Sequence, residues 1–232
     1  CHLGAEKEVY GPITELSRGG GCNACHLNYS EEAEKQLNTY LTSNKEELPQ
    51  IHPSVDIFVS NTHCYGCHSR SARISTNYEG WQETLYDELP VESDAQFKEA
   101  MYKRIYEYRG NDIHHQKGML CIDCHSSHEV MGDGQQYSHA EQGVKISCQD
   151  CHYKERPETM PYDSLDVESL KVFLHRGYTH VDKEVIKVKK SGHPLVNTYI
   201  DSLSNVYLIG KKDGQLHPVN PQGKQCARDE VH

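Results

Sequence analysis

Cys121-Ile122-Asp123-Cys124-His125 and Cys148-Gln149-Asp150-Cys151-His152 carry one string, Cys-x-x-Cys-His. Cys22-Asn23-Ala24-Cys25-His26 and Cys64-Tyr65-Gly66-Cys67-His68 repeat it upstream, making four copies. Two thiols with a two-residue spacer, followed at once by an imidazole, form the attachment pattern of a c-type haem. The thiols add across the vinyl groups of one porphyrin, and the adjacent His is held where its ring reaches the iron. On this reading Cys22, Cys25, Cys64, Cys67, Cys121, Cys124, Cys148 and Cys151 tether haem, and His26, His68, His125 and His152 are the proximal ligands. Paired Cys-x-x-Cys knuckles also build zinc sites. Zinc does not require a His after every second Cys, so four such coincidences in 232 residues with 16 His favour haem.

Around these motifs the composition is poor in core-forming residues. Hydrophobic residues make up 36%, there are 3 Phe and 1 Trp, and mean hydropathy is -0.77. Such a chain leans towards disorder. Covalent porphyrins resolve the conflict, because each brings an apolar disc that loops can wrap. The expected core is therefore mostly cofactor, regular structure is sparse, and the haem-free chain does not fold, as in small metallo-domains.

The formal net charge of -10, made more negative by haem propionates, argues against nucleic acid and anionic membrane surfaces. No apolar run approaches the length needed to span a bilayer. Haem is attached outside the bacterial cytoplasm, so the chain reads as exported, periplasmic or extracellular, with any signal peptide removed or upstream. Cys1-His2-Leu3 repeats the Cys25-His26-Leu27 that closes a complete motif, so Cys1 and His2 read as the tail of a fifth motif. A lipidated Cys1 and a Cys1–Cys226 disulfide are the alternatives. Both ends are abrupt, as in a piece of a longer protein.

The pattern predicts a helix from Ser30 to about Asn44, with Ala33, Leu37, Tyr40 and Leu41 at helical spacing. A second helix is expected from Ser93 to Gly110, with Gln96 completing a capping box and Phe97, Met101, Ile105 and Tyr108 on one stripe. A third runs from about Asp166 to His175 and stops at Gly177. Val206 to Ile209 and the run after Gly214 read as a hairpin with a type I′ turn at Asp213-Gly214. The fold expected is a multihaem cytochrome c, mostly irregular, with a few helices around stacked haems and a small antiparallel hairpin. Residues 1–180 form the haem domain and 181–232 a hairpin extension, leading into a further region.

Twelve His remain beyond the motifs, which suggests two imidazoles on each iron. His114-His115 can serve two haems, since neighbouring side chains point apart. His139 lies in a Gly-rich segment between the last two motifs. His175 and His180 flank Gly177, and His52 precedes Pro53. These six are the expected distal ligands, while His63 and His128 beside motifs are even choices. His193 and His217, each before Pro, read as surface or hydrogen-bonding residues. The four Met are expected to pack. Arg70 and Arg73 are expected to pair with propionates.

Cys67-His68-Ser69-Arg70-Ser71 with Tyr78-Glu79-Gly80-Trp81, and Cys124-His125 with Glu129-Val130-Met131-Gly132-Asp133-Gly134, resemble segments of the large multihaem c-type cytochromes of anaerobic, metal- or sulfur-metabolising microbes. That resemblance implies haem c, four or five copies, and one of three roles. The first is electron transfer through closely packed bis-His haems in a respiratory pathway, with other redox proteins or cytochrome subunits as partners. The second is a reductase of nitrogen or sulfur oxyanions, or the wiring part of one. The third is a protomer of an extracellular filament, hence a homo-oligomer. An enzyme needs an iron with an open position. Every complete motif here ends in His and spare His outnumber the haems, so electron transfer is the role expected and no catalytic residue is named.

Overall fold

The structure is a computed structural model that describes residues 22–43, 48–68, 77–91, 95–100, 103–154 and 156–221. Two compact units divide the chain, one ending at Ile113 and the other beginning at His114.

In the first unit, both motifs sit on helical turns. α1 (Asn23–His26) holds the first, and α3 (Asn61–His68) the second. Between them β1 (Leu27–Asn28) pairs antiparallel with β2 (Ser54–Val55). α2 (Glu31–Thr42) starts where the sequence predicts, because the Ser30 side chain accepts a hydrogen bond from the Ala33 N–H at 3.2 Å. Ala33 is the residue of α2 that is buried.

Among the described residues of 93–110, strands stand where the sequence predicts a helix. β4 (Phe97–Ala100) and β5 (Arg104–Tyr108) form a hairpin there, and β3 (Trp81–Glu83) pairs with the other edge of β5. Ser93 and Met101 lie outside the described residues. The Phe97, Ile105 and Tyr108 stripe fits a helix, but Ile105, Tyr106 and Tyr108 are β-branched or aromatic and prefer a pleated surface. Lys103, just before β5, has φ +57. Ile105 and Tyr106 are fully buried at the centre of this sheet.

The second unit is built on a five-stranded antiparallel sheet in the order β10-β9-β8-β7-β6. Its strands are β6 (Thr159–Pro161), β7 (Glu184–Lys187), β8 (Pro194–Ile200), β9 (Val206–Ile209) and β10 (Leu216–Val219). Four single-turn helices precede it: α4 (Ile113–Gln116), α5 (Cys121–Cys124), α6 (Ser127–Val130) and α7 (Ala140–Gly143). α8 (Cys148–Cys151) follows, then α9 (Val167–His175), which packs on β8. Asp166 caps α9 by accepting from the Ser169 N–H at 2.9 Å, and Gly177 turns the chain away at φ +67, as the sequence predicts.

These sheets overturn the expected fold class. The described residues form a mixed α/β fold with three antiparallel sheets rather than mostly irregular chain around porphyrin. The second unit also has a side-chain core of its own, made by Ile186, Val188, Leu195, Ile200 and Val206. The predicted hairpin exists as β9 and β10, but it is the edge of a larger sheet. Its turn is a four-residue loop closed by Gly210 N–H to Gln215 C=O and Gly214 N–H to Gly210 C=O, each 2.8 Å, not a type I′ turn.

β8 carries an irregularity that reaches the motifs. Its register shifts between the partners of Glu184 and Ile186. Thr198 fills the gap in the ladder, its hydroxyl accepting from the Ile186 N–H at 2.9 Å and donating to the Leu195 carbonyl at 2.7 Å. The neighbouring Asn197, fully buried, donates from Nδ2 to the Asp123 carbonyl at 3.2 Å. Bulges re-aim side chains in this way.

Candidate functional site

Each motif sets its two Cys three residues apart on a helical turn, and in the first, third and fourth motifs the two side chains leave one face. In the second unit the third motif residue is Asp, and both Asp do the same work. Asp123 Oδ2 accepts from the Leu120 N–H and Oδ1 from the Lys211 N–H, each at 2.7 Å. Asp150 Oδ2 accepts from the Ser147 N–H at 2.8 Å, and Oδ1 from the Lys189 N–H at 3.0 Å. One oxygen caps the motif helix, and the other pins it to a turn of the sheet. Lys189 follows β7, and Lys211 follows β9. Both carboxylates are buried.

Asp123 has a desolvated ammonium beside it. Burial pushes the Asp123 carboxyl above its ordinary range, against its backbone donors and the nearby Lys211 ammonium. Lys211 is itself desolvated and falls to about 8, and its ammonium donates to the Ile122 carbonyl. Cys151 packs against the sheet core beside Ile146, Tyr153 and Val219. Burial, with Cys124, Asp150 and Cys148 nearby, pushes its thiol far up.

Three motif imidazoles share one arrangement, with Nδ1 hydrogen-bonded. His26 Nδ1 lies 2.7 Å from the Asp56 carbonyl oxygen. His152 Nδ1 lies 2.9 Å from the Asn220 carbonyl oxygen. His125 Nδ1 is hydrogen-bonded to the Glu129 carboxylate. A carbonyl can only accept, so Nδ1 of His26 and His152 carries the proton and Nε2 keeps a free lone pair. That is the tautomer a metal-bound imidazole needs, with the other nitrogen held by an acceptor. Glu129 also accepts from the Lys145 and Ile146 N–H groups, each at 3.0 Å. Burial alone would raise the Glu129 carboxyl, but His125 and these two donors hold it below its ordinary value. His68 ends α3 and is exposed.

The expected distal residues are scattered over both units. His52 is exposed, with Nδ1 2.6 Å from the Pro53 carbonyl oxygen. His114 and His115 lie in α4, and the His114 ring centroid is 5.9 Å from that of His152. His139 begins α7 and His175 ends α9, both exposed. His180 is buried among Phe173, Tyr178 and Tyr199, with Nε2 3.1 Å from the Val196 carbonyl oxygen. It therefore presents the opposite tautomer from the motif imidazoles. Cys1, His2, Arg70, Arg73 and Cys226 lie outside the described residues.

His63 is a satisfied core residue. Its Nδ1 accepts from the Ser60 N–H at 3.1 Å, and its Nε2 faces the Leu27 carbonyl at 3.2 Å. His128, an even choice as a distal ligand, and His193, expected at the surface or in a hydrogen bond, stack face to face beside Asp166. No sequence signal joins these three, since each lies in a different segment.

Two thiols and an adjacent imidazole at each motif are the groups that covalent haem would use. Among the described residues, three metal-ligating groups converge only at His128, Asp166 and His193, with no Cys among them. The motif thiols carry no described disulfide. The eight motif Cys would hold haem by thioether bonds, with Nε2 of the motif His on iron. Also among the described residues, no helix is long and apolar enough to cross a membrane. Comparison with protein-family models, with curated proteins and with solved structures finds no match to this chain.

Proposed function

We propose that the chain relays electrons through c-type haems covalently attached at its four Cys-x-x-Cys-His motifs, in an exported respiratory protein. The observation that carries this reading is the shared tautomer of His26, His125 and His152, each with Nδ1 engaged and Nε2 free. Haem attachment belongs to the motif and not to one architecture, so a mixed α/β scaffold is no obstacle.

Haem iron supplies the one-electron change between its ferrous and ferric forms. The chain supplies everything else. Thiols tether, Nδ1 acceptors orient the imidazoles of His26, His125 and His152 and raise their basicity, and Asp123 and Asp150 fix two motifs to one sheet. Motif spacings of roughly 25 to 55 residues leave little protein to insert between attachment points. The proximity of His114 to His152 supports it as the second imidazole on the fourth iron. The net charge of -10 suits basic redox partners, met at a rate that falls as salt rises.

Stopped-flow mixing of the reduced, haem-loaded chain with a basic redox acceptor tests the reading. Fast electron transfer, slowed by salt, is expected, with no saturable turnover of nitrite, hydroxylamine, sulfite or tetrathionate. A resting high-spin haem together with clear turnover of one of these would replace the relay by a reductase.

A further inference from the structure

His128 follows the third motif, Asp166 caps α9, and His193 lies in the turn before β8, so three separate segments meet here. One ligand atom from each lies within 4.8 Å of the other two. His128 Nε2 stands 3.3 Å from Asp166 Oδ2. That is about the edge of a tetrahedron whose metal–ligand bonds are about 2.0–2.1 Å. On the far side of the ring, His128 Nδ1 is 3.6 Å from Glu168 Oε2. Drawn in to hydrogen-bond distance, a carboxylate on that side would orient a metal-bound imidazole. Glu168 Oε1 is buried and has no hydrogen-bond partner among the described residues.

We propose that His128, Asp166 and His193 form a non-haem site for one first-row divalent cation, with the fourth position open. Two imidazoles and one carboxylate suit zinc or ferrous iron and disfavour calcium and magnesium, which prefer oxygen. This site stands apart from the electron-relay reading, because none of its ligands belongs to a haem motif.

The His128 and His193 rings are stacked, 3.9 Å between centroids and 6° between planes. Lone pairs lie in the ring plane, so two parallel rings cannot aim at one ion. Binding therefore requires one ring to turn. His128 Nε2 donates to Ser169 Oγ at 3.0 Å and already points at Asp166, so a cation would take the place of that proton and His193 is the ring that turns. Ser169 Oγ also donates to Asp166 Oδ2 at 2.7 Å, a bond that a bound cation would weaken.

The test uses the full chain with its haems, stripped of loose metal by chelator and titrated with zinc chloride. Calorimetry gives affinity, and elemental analysis gives zinc and iron per chain. One zinc per chain is expected beyond the haem iron. Asp166→Asn, which retains a cap oxygen for the Ser169 N–H, and His193→Ala should each weaken zinc at least about 100-fold with haem iron unchanged. Glu168→Gln should weaken it about 10- to 100-fold, and this variant carries the test if His193→Ala does not fold. No stoichiometric zinc in the parent chain, or undiminished affinity in the variants, would mean the cluster is only a hydrogen-bonded helix cap.

Discussion

The two units hold their motifs by different means. In the second, Asp123 and Asp150 dock each motif helix on a turn of a five-stranded sheet that has its own apolar core. In the first, Ala24 and Gly66 occupy the equivalent positions and offer no carboxylate. There the first motif is held by His26 on the Asp56 carbonyl and by the two-residue pairing of β1 with β2. One unit docks both of its motifs on a sheet with an apolar core, while the other holds its first motif through a two-residue strand pair and one imidazole hydrogen bond.

The haem-free chain, with all eight motif Cys replaced by Ser, breaks or sharpens that contrast most strongly. Amide hydrogen exchange should keep strong protection in β7, β8 and β9 and lose it almost fully in α1 and α3. Equal loss in both units would erase the difference and return to the cofactor-made core expected from composition.

The next largest effect separates the units by backbone. Gly80 in the first unit has φ +92, and an added Cβ would stand 2.5 Å from the Gly110 carbonyl carbon. Gly80→Ala should therefore cost about 3 kcal/mol, from strain and a clash with rigid backbone. Gly214→Ala in the second unit meets nothing within 4 Å at φ +72 and should cost only about 1 kcal/mol. Denaturant unfolding of the two variants compares them.

Asp123→Ala and Asp150→Ala come third. Each leaves two backbone N–H groups without their carboxylate, which costs about 1–3 kcal/mol. Asp123→Asn should cost less, because an amide oxygen still accepts. Thermal unfolding of the holoprotein reads this. Converting Ala24 to Asp in the first unit should restore nothing, since no sheet turn is described beside it.

Alkaline pH gives the smallest effect. The Lys98 ammonium sits 4.2 Å above the Trp81 ring, and desolvation, partly offset by Glu79, lowers it from 10.5 to about 8. Between those values the unfolded chain binds more protons than the folded one, so stability rises with pH across that window. Lys98→Met should shrink the rise seen by fluorescence of Trp81, the 1 Trp in the chain. Lys211, also near 8, keeps its own contribution in the second unit.

Local signals were legible where a cap and a period agree. Ser30 and Asp166 begin their helices as the sequence predicts, and β9 with β10 is the expected hairpin. The β4–β5 hairpin was misread because Phe97, Ile105 and Tyr108 satisfy a helical stripe equally well, and pairing with β3 decides between the two. The five-stranded sheet was missed because β8 is buried on both faces and bulged, so it shows no alternation. His128, Asp166 and His193 were invisible as a group because only the sheet brings them together. The motif Cys and His, by contrast, are written in adjacent residues and need no fold to be found.

Intact mass of the chain matured with haem tests the central claim most directly. The account predicts four covalent haems, with a fifth only where Cys1 and His2 complete a motif. Each Cys-to-Ala pair at Cys22/Cys25, Cys64/Cys67, Cys121/Cys124 or Cys148/Cys151 should remove one. Two or fewer haems in fully matured protein, or zinc in their place at the thiols, would contradict it.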